Sequence, residues 1–235
     1  MALRMNLYGC QISAIHEAVG SKSDTLLEAA SAQVADTLNE ESARAKAIAW
    51  LETLIQTGHP LNSARPQPSV PEDGSLLVSH VETEIHVCAL HCLIQGIQRD
   101  DWLDLSGQSS HWHHSAISTL YNDLAACGFT KSTECPMELF RCLESLNHGT
   151  PLFGDDFRTD WSYYSLLPTN EVVGFIQALK VTVEFKRSIP DFIPEHLRET
   201  MVISLTDEAR EFVTELSGWL RQVADSGQDA YILWW

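Results

Sequence analysis

The stretch that decides the fold is residues 207–235, DEAREFVTELSGWLRQVADSGQDAYILWW. Its first part predicts an amphipathic helix, because its apolar residues recur at helical spacing: Ala209, Phe212, Val213, Leu216, Trp219, Leu220 and Val223. Asp207 and Glu208 favour the helix N-terminus electrostatically, and Gly227 ends the helix. The apolar run Ala230–Trp235 does not alternate with polar residues, so it predicts a strand covered on both faces.

The rest of the chain supplies an opening strand and several helices. Leu7–Ile12 is short and apolar, and we expect it to pair with the terminal strand. Apolar residues at helical spacing predict a helix over 24–38, a second that ends near Ile55 and a third over 81–97. Two further helices are predicted to begin at Pro136 and at Pro168. Ser109 or Ser110 is predicted to cap a helix that carries Trp112, Ala116, Leu120 and Leu124. The fold class is therefore α+β, mostly helical, with a small sheet that includes both chain ends.

Two segments interrupt this helical pattern. Residues 58–75 carry four prolines and predict an exposed loop. Lys180–Lys186 alternates apolar and polar residues with period two, which favours a strand over the alternative of a helix extension. We find no internal repeat and predict one domain over 1–235.

The charge of the chain excludes several classes of protein. Acidic residues number 32 against 15 Lys and Arg, for a net charge of −17. Nucleic-acid binding needs Lys and Arg to displace counterions, so that role is not expected. The chain also lacks an apolar run long enough to cross a bilayer and an N-terminal signal h-region, so we expect a cytoplasmic protein. Its six cysteines are then expected to be free thiols.

Two groups of residues could bind a metal. Cys88, His91 and Cys92 lie at i, i+3 and i+4 of a predicted helix, close to His86, and zinc accepts such ligands. A second group, His111, His113 and His114, follows at the next predicted helix start. The alternative is that the cysteines are core residues and the histidines lie at the surface. No further pair has zinc-finger spacing, and we expect no cofactor.

Motifs that indicate catalysis are weak. Asp100, Asp101 and Asp104 match the five-residue D-D-x-x-D pattern that holds magnesium in prenyl transferases, but a solvated turn has the same composition. The sequence contains no G-x-S-x-G, P-loop or G-x-G-x-x-G motif. We therefore assign no catalytic residue.

Aromatic residues in predicted loops suggest a binding surface. Exposed rings beside carboxylates fit a basic or amphipathic polypeptide, since rings supply contact area and carboxylates steer the encounter. The candidate residues are Trp102, Trp112, Trp161, Tyr163, Tyr164, Asp155 and Asp156. The leading hypothesis is a non-enzymatic module that binds a protein or peptide. The alternative is a metal-dependent enzyme using His86, His91, His111, His113 or His114.

Three stretches together resemble a functionally uncharacterised family of small bacterial proteins: Leu7–Tyr8 with Val19–Leu27, Leu166–Val172, and Trp219–Gly227. None of them is a catalytic signature, so the resemblance implies a compact bacterial α+β protein and transfers no functional residue. In character it is similar to accessory or immunity proteins. Residues 180–205 depart from the family as an insertion before the last helix.

Overall fold

The computed structural model describes residues 4–58, 80–126, 164–184 and 205–234, together with Leu143 and Leu146. Its elements in chain order are β1 (Met5–Cys10), α1 (Ile12–Ala18), α2 (Asp24–Thr37), α3 (Glu41–Thr57), α4 (His80–Ile97), α5 (Ser106–Ser109), α6 (Ser115–Ala126), β2 (Tyr164–Leu167), α7 (Thr169–Glu184), α8 (Asp207–Asp225) and β3 (Asp229–Trp234). The predicted fold class is confirmed: the protein is mostly helical, with one small sheet that contains strands from both chain ends.

The sheet has three antiparallel strands in the order β1-β3-β2, so the C-terminal strand is central. Ala230 to Trp234 are all buried in β3. Because a central strand covered on both faces has no solvated side, its sequence must be apolar at successive positions. The prediction for the terminal strand is confirmed in both its burial and its pairing with β1.

The outer edge of β1 is covered by the segment that contains α5. The backbone N–H of Met5 donates to the carbonyl of Trp112 at 2.9 Å, and that of Leu105 donates to the carbonyl of Leu7 at 2.9 Å. Ser109 is fully buried here, and its Oγ accepts from the backbone N–H of Leu7 at 3.1 Å. An edge strand whose polar groups are paired in this way cannot template a further strand.

Ser109 therefore has a different role from the one predicted. It ends α5 instead of capping the helix that follows, which begins at Ser115. Trp112 lies before that helix, whereas Ala116, Leu120 and Leu124 are buried on it. A serine that precedes a helical pattern suits a cap, but the unpaired edge of β1 competes for the same hydroxyl group.

The packing groups the elements into two compact units, and we describe each by itself. In the first, which contains the sheet, α8 packs on α6, α7 and β3. The seven apolar residues predicted for the inner face of α8 are all buried. In the second unit, α4 packs on α1, α2 and α3. The single domain over 1–235 stays a prediction, because compact units of one chain can share a domain.

Two Thr–Asp contacts fasten the helices of the first unit. Thr206 caps α8 by accepting from the backbone N–H of Ala209, and its hydroxyl donates to Asp123 Oδ2 on α6 at 2.7 Å. Thr169, at the start of α7, donates from its backbone N–H to Asp229 Oδ1 at 2.8 Å. The second contact joins the end of β2 to the start of β3, as antiparallel pairing requires.

The strand predicted over 180–186 is wrong where the structure describes it, because α7 continues to Glu184. Val172, Phe175, Ala178 and Leu179 are buried at helical spacing, and this packing overrides the β-branched alternation that follows. The remainder of the insertion at 180–205, up to residue 204, lies outside the described residues. The same holds for the Pro-rich loop beyond Gly58.

The end of α3 is capped by the loop between α1 and α2. The carbonyl of Leu54 accepts from the backbone N–H of Gly20 at 3.0 Å, and the carbonyl of Ile55 accepts from that of Lys22 at 3.0 Å. Gly20 and Gly58 both have a positive φ, and a Cβ on Gly20 would lie 3.0 Å from the Cα of Gly58. Both positions therefore require glycine.

Close packing of α4 on α2 depends on Gly96. A Cβ at this position would lie 3.1 Å from the backbone nitrogen of Ala30 and 3.3 Å from its Cα. We expect Gly96→Ala to lower the free energy of unfolding by about 1–2 kcal/mol, because the strain of overpacking exceeds the gain in helix propensity. Urea unfolding measures the change.

The matched control is Gly218→Ala on α8, where an added Cβ meets no atom of the described residues within 4 Å. It should raise the free energy of unfolding by about 0.5–1 kcal/mol, because only the propensity gain remains. Equal shifts for the two variants would contradict the close contact at Gly96.

Because of the Tyr8 phenol on β1, we expect the free energy of unfolding to depend on pH in the alkaline range. Its ring stacks on Tyr231 with centroids 5.8 Å apart, and burial raises the pKa of Tyr8 above its ordinary value of 10.0. The folded state then keeps the proton that the unfolded state loses, so stability falls as the pH rises above about 10. Tyr8→Phe should show a shallower decline in urea unfolding from about pH 9 to 10.5. An unchanged slope would contradict this.

Candidate functional surface

Three of the five predicted binding aromatics lie in the described part of the chain, and all three are buried. Trp102 is 6% exposed, Trp112 is 8% exposed and Tyr164 is 5% exposed. The expectation of exposed rings is therefore wrong for these residues. The other predicted binding residues, Trp161, Tyr163, Asp155 and Asp156, lie outside the described residues.

Trp112 illustrates why a loop position does not expose a ring. Its indole lies edge-on to Phe212 of α8 with centroids 5.1 Å apart, and its Nε1 donates to Glu215 Oε2 at 2.7 Å. The same carboxylate oxygen lies 2.9 Å from His111 Nε2, and His111 Nδ1 lies 3.0 Å from the carbonyl oxygen of Gln108. Glu215 thus holds the segment before α6 against α8.

The predicted metal-ligand histidines are dispersed. His111, His113 and His114 belong to the first unit: His111 pairs with Glu215, His113 forms an antiparallel bridge with Arg4, and His114 lies edge-on to Trp234 at 5.1 Å. In the second unit, His86 stacks on Trp50 at 5.7 Å, and His91 is half-buried on α4. Among the described side chains, no three His, Cys, Asp or Glu residues are grouped to hold a metal ion.

Cys88 and Cys92 do lie together. Their Sγ atoms are 4.0 Å apart on the buried face of α4, and both thiols are free. The hydrogen bond between them raises the pKa of the Cys88 thiol and lowers that of the Cys92 thiol, and burial raises both. Cys10 is also a buried thiol that forms no disulfide. The other three cysteines lie outside the described residues.

The D-D-x-x-D stretch forms an exposed turn after α4. Asp100, Asp101 and Asp104 are exposed, and Asp104 Oδ1 accepts from the backbone N–H of Ser106 at 2.9 Å. One of its three carboxylates therefore stabilises the start of α5. This geometry agrees with the solvated turn that was the alternative to a magnesium site.

Helix α8 carries a row of carboxylates outside its apolar face, which begins opposite that face at Asp207 and reaches its border at Glu215. Asp207 and Glu211 are exposed and Glu215 is partly exposed, at intervals of four residues. At 1.5 Å per residue, successive members lie about 6 Å apart along the helix axis. We call these three residues the α8 acidic row. The sequence carries the signal for it, since the apolar positions of the same helix define the buried face.

The second unit also exposes many carboxylates on α2 and α3 and between them: Asp24, Glu28, Asp36, Glu40, Glu41 and Glu52. In contrast, the one large hydrophobic side chain exposed among the described residues is Val173, at 43%. No helix in this part of the chain is long and apolar enough to span a membrane. The described surface is thus acidic and poor in apolar area.

No family model, curated protein or solved structure matches this chain.

The role of Glu215 as the acceptor for Trp112 can be measured. Glu215→Ala should lower the free energy of unfolding by about 1–2 kcal/mol, because the part-buried indole N–H loses its acceptor. Glu215→Gln should lose less, since its amide keeps an acceptor oxygen. The control Glu211→Ala removes an exposed carboxylate on the same helix and should stay within about 0.5 kcal/mol of wild type. Equal losses at 211 and 215 would contradict the assigned contact.

Proposed function

We propose that this protein is a non-enzymatic cytosolic module that binds a basic or amphipathic protein or peptide. The observation that carries the proposal is the α8 acidic row in a chain whose net charge is −17. Its exposed members, Asp207 and Glu211, are available to a partner, whereas Glu215 already accepts from Trp112. An acidic surface of this kind attracts a positively charged partner over distances near the Debye length, which raises the rate of association.

The spacing of the α8 acidic row selects among basic partners. Carboxylates about 6 Å apart along the helix axis match basic side chains at every fourth residue of a helix. They also match every second residue of an extended segment, which advances about 6.6 Å. Beyond Glu215 the helix carries Gly218, where an added Cβ meets no atom of the described residues within 4 Å. A partner side chain can therefore approach the backbone of α8 at this point.

The buried aromatics change how such a module would work. Trp102, Trp112 and Tyr164 are buried in the core, so they are not available to a partner. The described surface would contact a partner mainly through its carboxylates. Exposed ion pairs each contribute only about 0.2–1 kcal/mol and are screened by salt. Binding through the described surface should then be fast, weak and sensitive to ionic strength. An accessory or immunity-like role, drawn by analogy of character, is compatible with this behaviour.

The test begins with a pull-down from the native host at low salt, identified by mass spectrometry and followed by calorimetry on the purified pair. We expect a basic partner whose Kd rises steeply with salt concentration. The variant Asp207→Asn/Glu211→Gln removes the two exposed carboxylates of the α8 acidic row. Loss of two exposed ion pairs should weaken binding by about 0.4–2 kcal/mol, or about 2- to 30-fold.

A matched control keeps the total charge equal. Glu28→Gln/Glu52→Gln removes two exposed carboxylates from α2 and α3 instead. It should weaken binding less than the α8 variant, because it changes only the long-range attraction. Failure to recover a reproducible partner, or a Kd that is indifferent to salt and to the α8 variant, would overturn the proposal.

A further inference from the structure

The thiol pair on α4 has a geometry that suits a single bridging atom. Cys88 and Cys92 are one helical turn apart, both fully buried, with sulfurs 4.0 Å apart. Bonds from one central atom to two sulfurs, each about 2.3 Å long as in zinc thiolates, span sulfurs up to about 4.6 Å apart. An angle of about 100° between the two bonds, as in a pyramidal trivalent centre, brings the sulfurs to about 3.5 Å. Small rotations of the two side chains close the observed 4.0 Å to that distance without any change in the helix backbone.

A disulfide does not suit the same pair. Cβ atoms four residues apart on a helix are separated by about 5–6 Å, whereas a disulfide needs about 3.5–4.5 Å. Direct oxidation would therefore distort the middle of α4, which packs on three other helices. The pair is thus built to remain two thiols, available to a bridging ligand.

The buried surroundings of the two sulfurs favour a ligand that forms an uncharged complex with them. Both sulfurs are shielded from water, and burying a net charge is costly. Two thiolates on copper(I) would carry a net negative charge, whereas two thiolates on an organic trivalent arsenic centre are neutral. A third protein ligand is also absent from the described residues, and zinc in structural sites takes four.

We propose that Cys88 and Cys92 form a two-thiol site for trivalent arsenicals of the type R–As(OH)2. Each thiol sulfur forms an As–S bond as an As–O bond breaks, and each thiol proton leaves with the departing hydroxide as water. The product is R–As(S-Cys)2 and two water molecules, and no atom changes its oxidation state. Cys92 reacts first, because the hydrogen bond from Cys88 favours its thiolate.

The route to the site passes the end of α2. Cys92 Sγ lies 3.8 Å from Thr37 Oγ1, and Thr37 is the exposed last residue of that helix. Opening of the last turn of α2 therefore uncovers the side of Cys92 Sγ that faces Thr37. Helix termini fray at low free-energy cost, so uptake does not require global unfolding.

The experiment uses the full chain under reducing, native conditions with phenylarsonous acid as the probe. We expect one equivalent bound in native mass spectrometry. When the complex is then unfolded and alkylated with iodoacetamide, peptide mapping should find Cys88 and Cys92 protected and Cys10 alkylated. Cys88→Ser and Cys92→Ser should each weaken binding by about 10²-fold or more, because the second As–S bond is no longer intramolecular.

Cys10→Ala is the matched control, since it removes another buried thiol and should leave the affinity unchanged. Protection of cysteines other than 88 and 92 would overturn the proposal, and the mapping gives this result on wild-type protein even if a variant fails to fold. A parallel titration with zinc(II) should not displace the arsenical. Displacement by zinc in the wild-type protein, together with direct zinc binding that is lost in Cys88→Ser, would show a larger metal site and would equally overturn it.

Discussion

Burial of β3 on both faces is the constraint on which the first unit depends. A strand with five successive buried residues must have partners at both edges and cover on both faces, or its backbone groups and apolar side chains would meet water. Strands β1 and β2 provide the edges, and α7 and α8 pack on the strand. The turn at Gly227 that connects α8 to β3 then brings the helix and the strand together in one short segment. Contacts such as that between Thr169 and Asp229 add to the stability that this burial provides.

Polar side chains in this protein act mostly as structural acceptors at the ends of elements. Asp123 accepts from Thr206, the cap of α8, and Asp229 accepts from Thr169, the first residue of α7. Asp104 accepts from the backbone at the start of α5, and Glu215 accepts from the indole of Trp112. The carboxylates that do not have such a role lie at the surface, where they set the electrostatic field. A surface with a strong negative potential and little exposed apolar area favours rapid, reversible contacts over permanent ones. Among the described residues, Cys88 and Cys92 form a buried pair of thiols on α4.

Much of the fold could be predicted from periodicity, and much less of the candidate site. The apolar positions of α8, the terminal strand and its pairing with β1 were readable, because burial on a regular element repeats with the period of that element. Exposure of Trp102, Trp112 and Tyr164 was not readable. Burial in a loop does not repeat with a regular period, so the sequence pattern does not show whether a ring in the loop packs on a neighbouring element. The same reason explains Ser109, whose hydroxyl pairs with a strand about one hundred positions earlier in the chain.

The sequence by itself determined the fold class, the acidic character and the two faces of α8, since these follow from composition and from the order of residues along single elements. The tertiary structure decided which polar groups meet across the chain. It brought Glu215 to Trp112 and His111, kept the metal-candidate histidines in separate environments and left Cys88 with Cys92 as a buried pair. It also decided that α7 continues through a stretch with strand-like alternation. Local propensities differ by less than about 1 kcal/mol per residue, whereas burial of one large apolar side chain contributes about 1.5–3 kcal/mol, so long-range packing prevails wherever the two disagree.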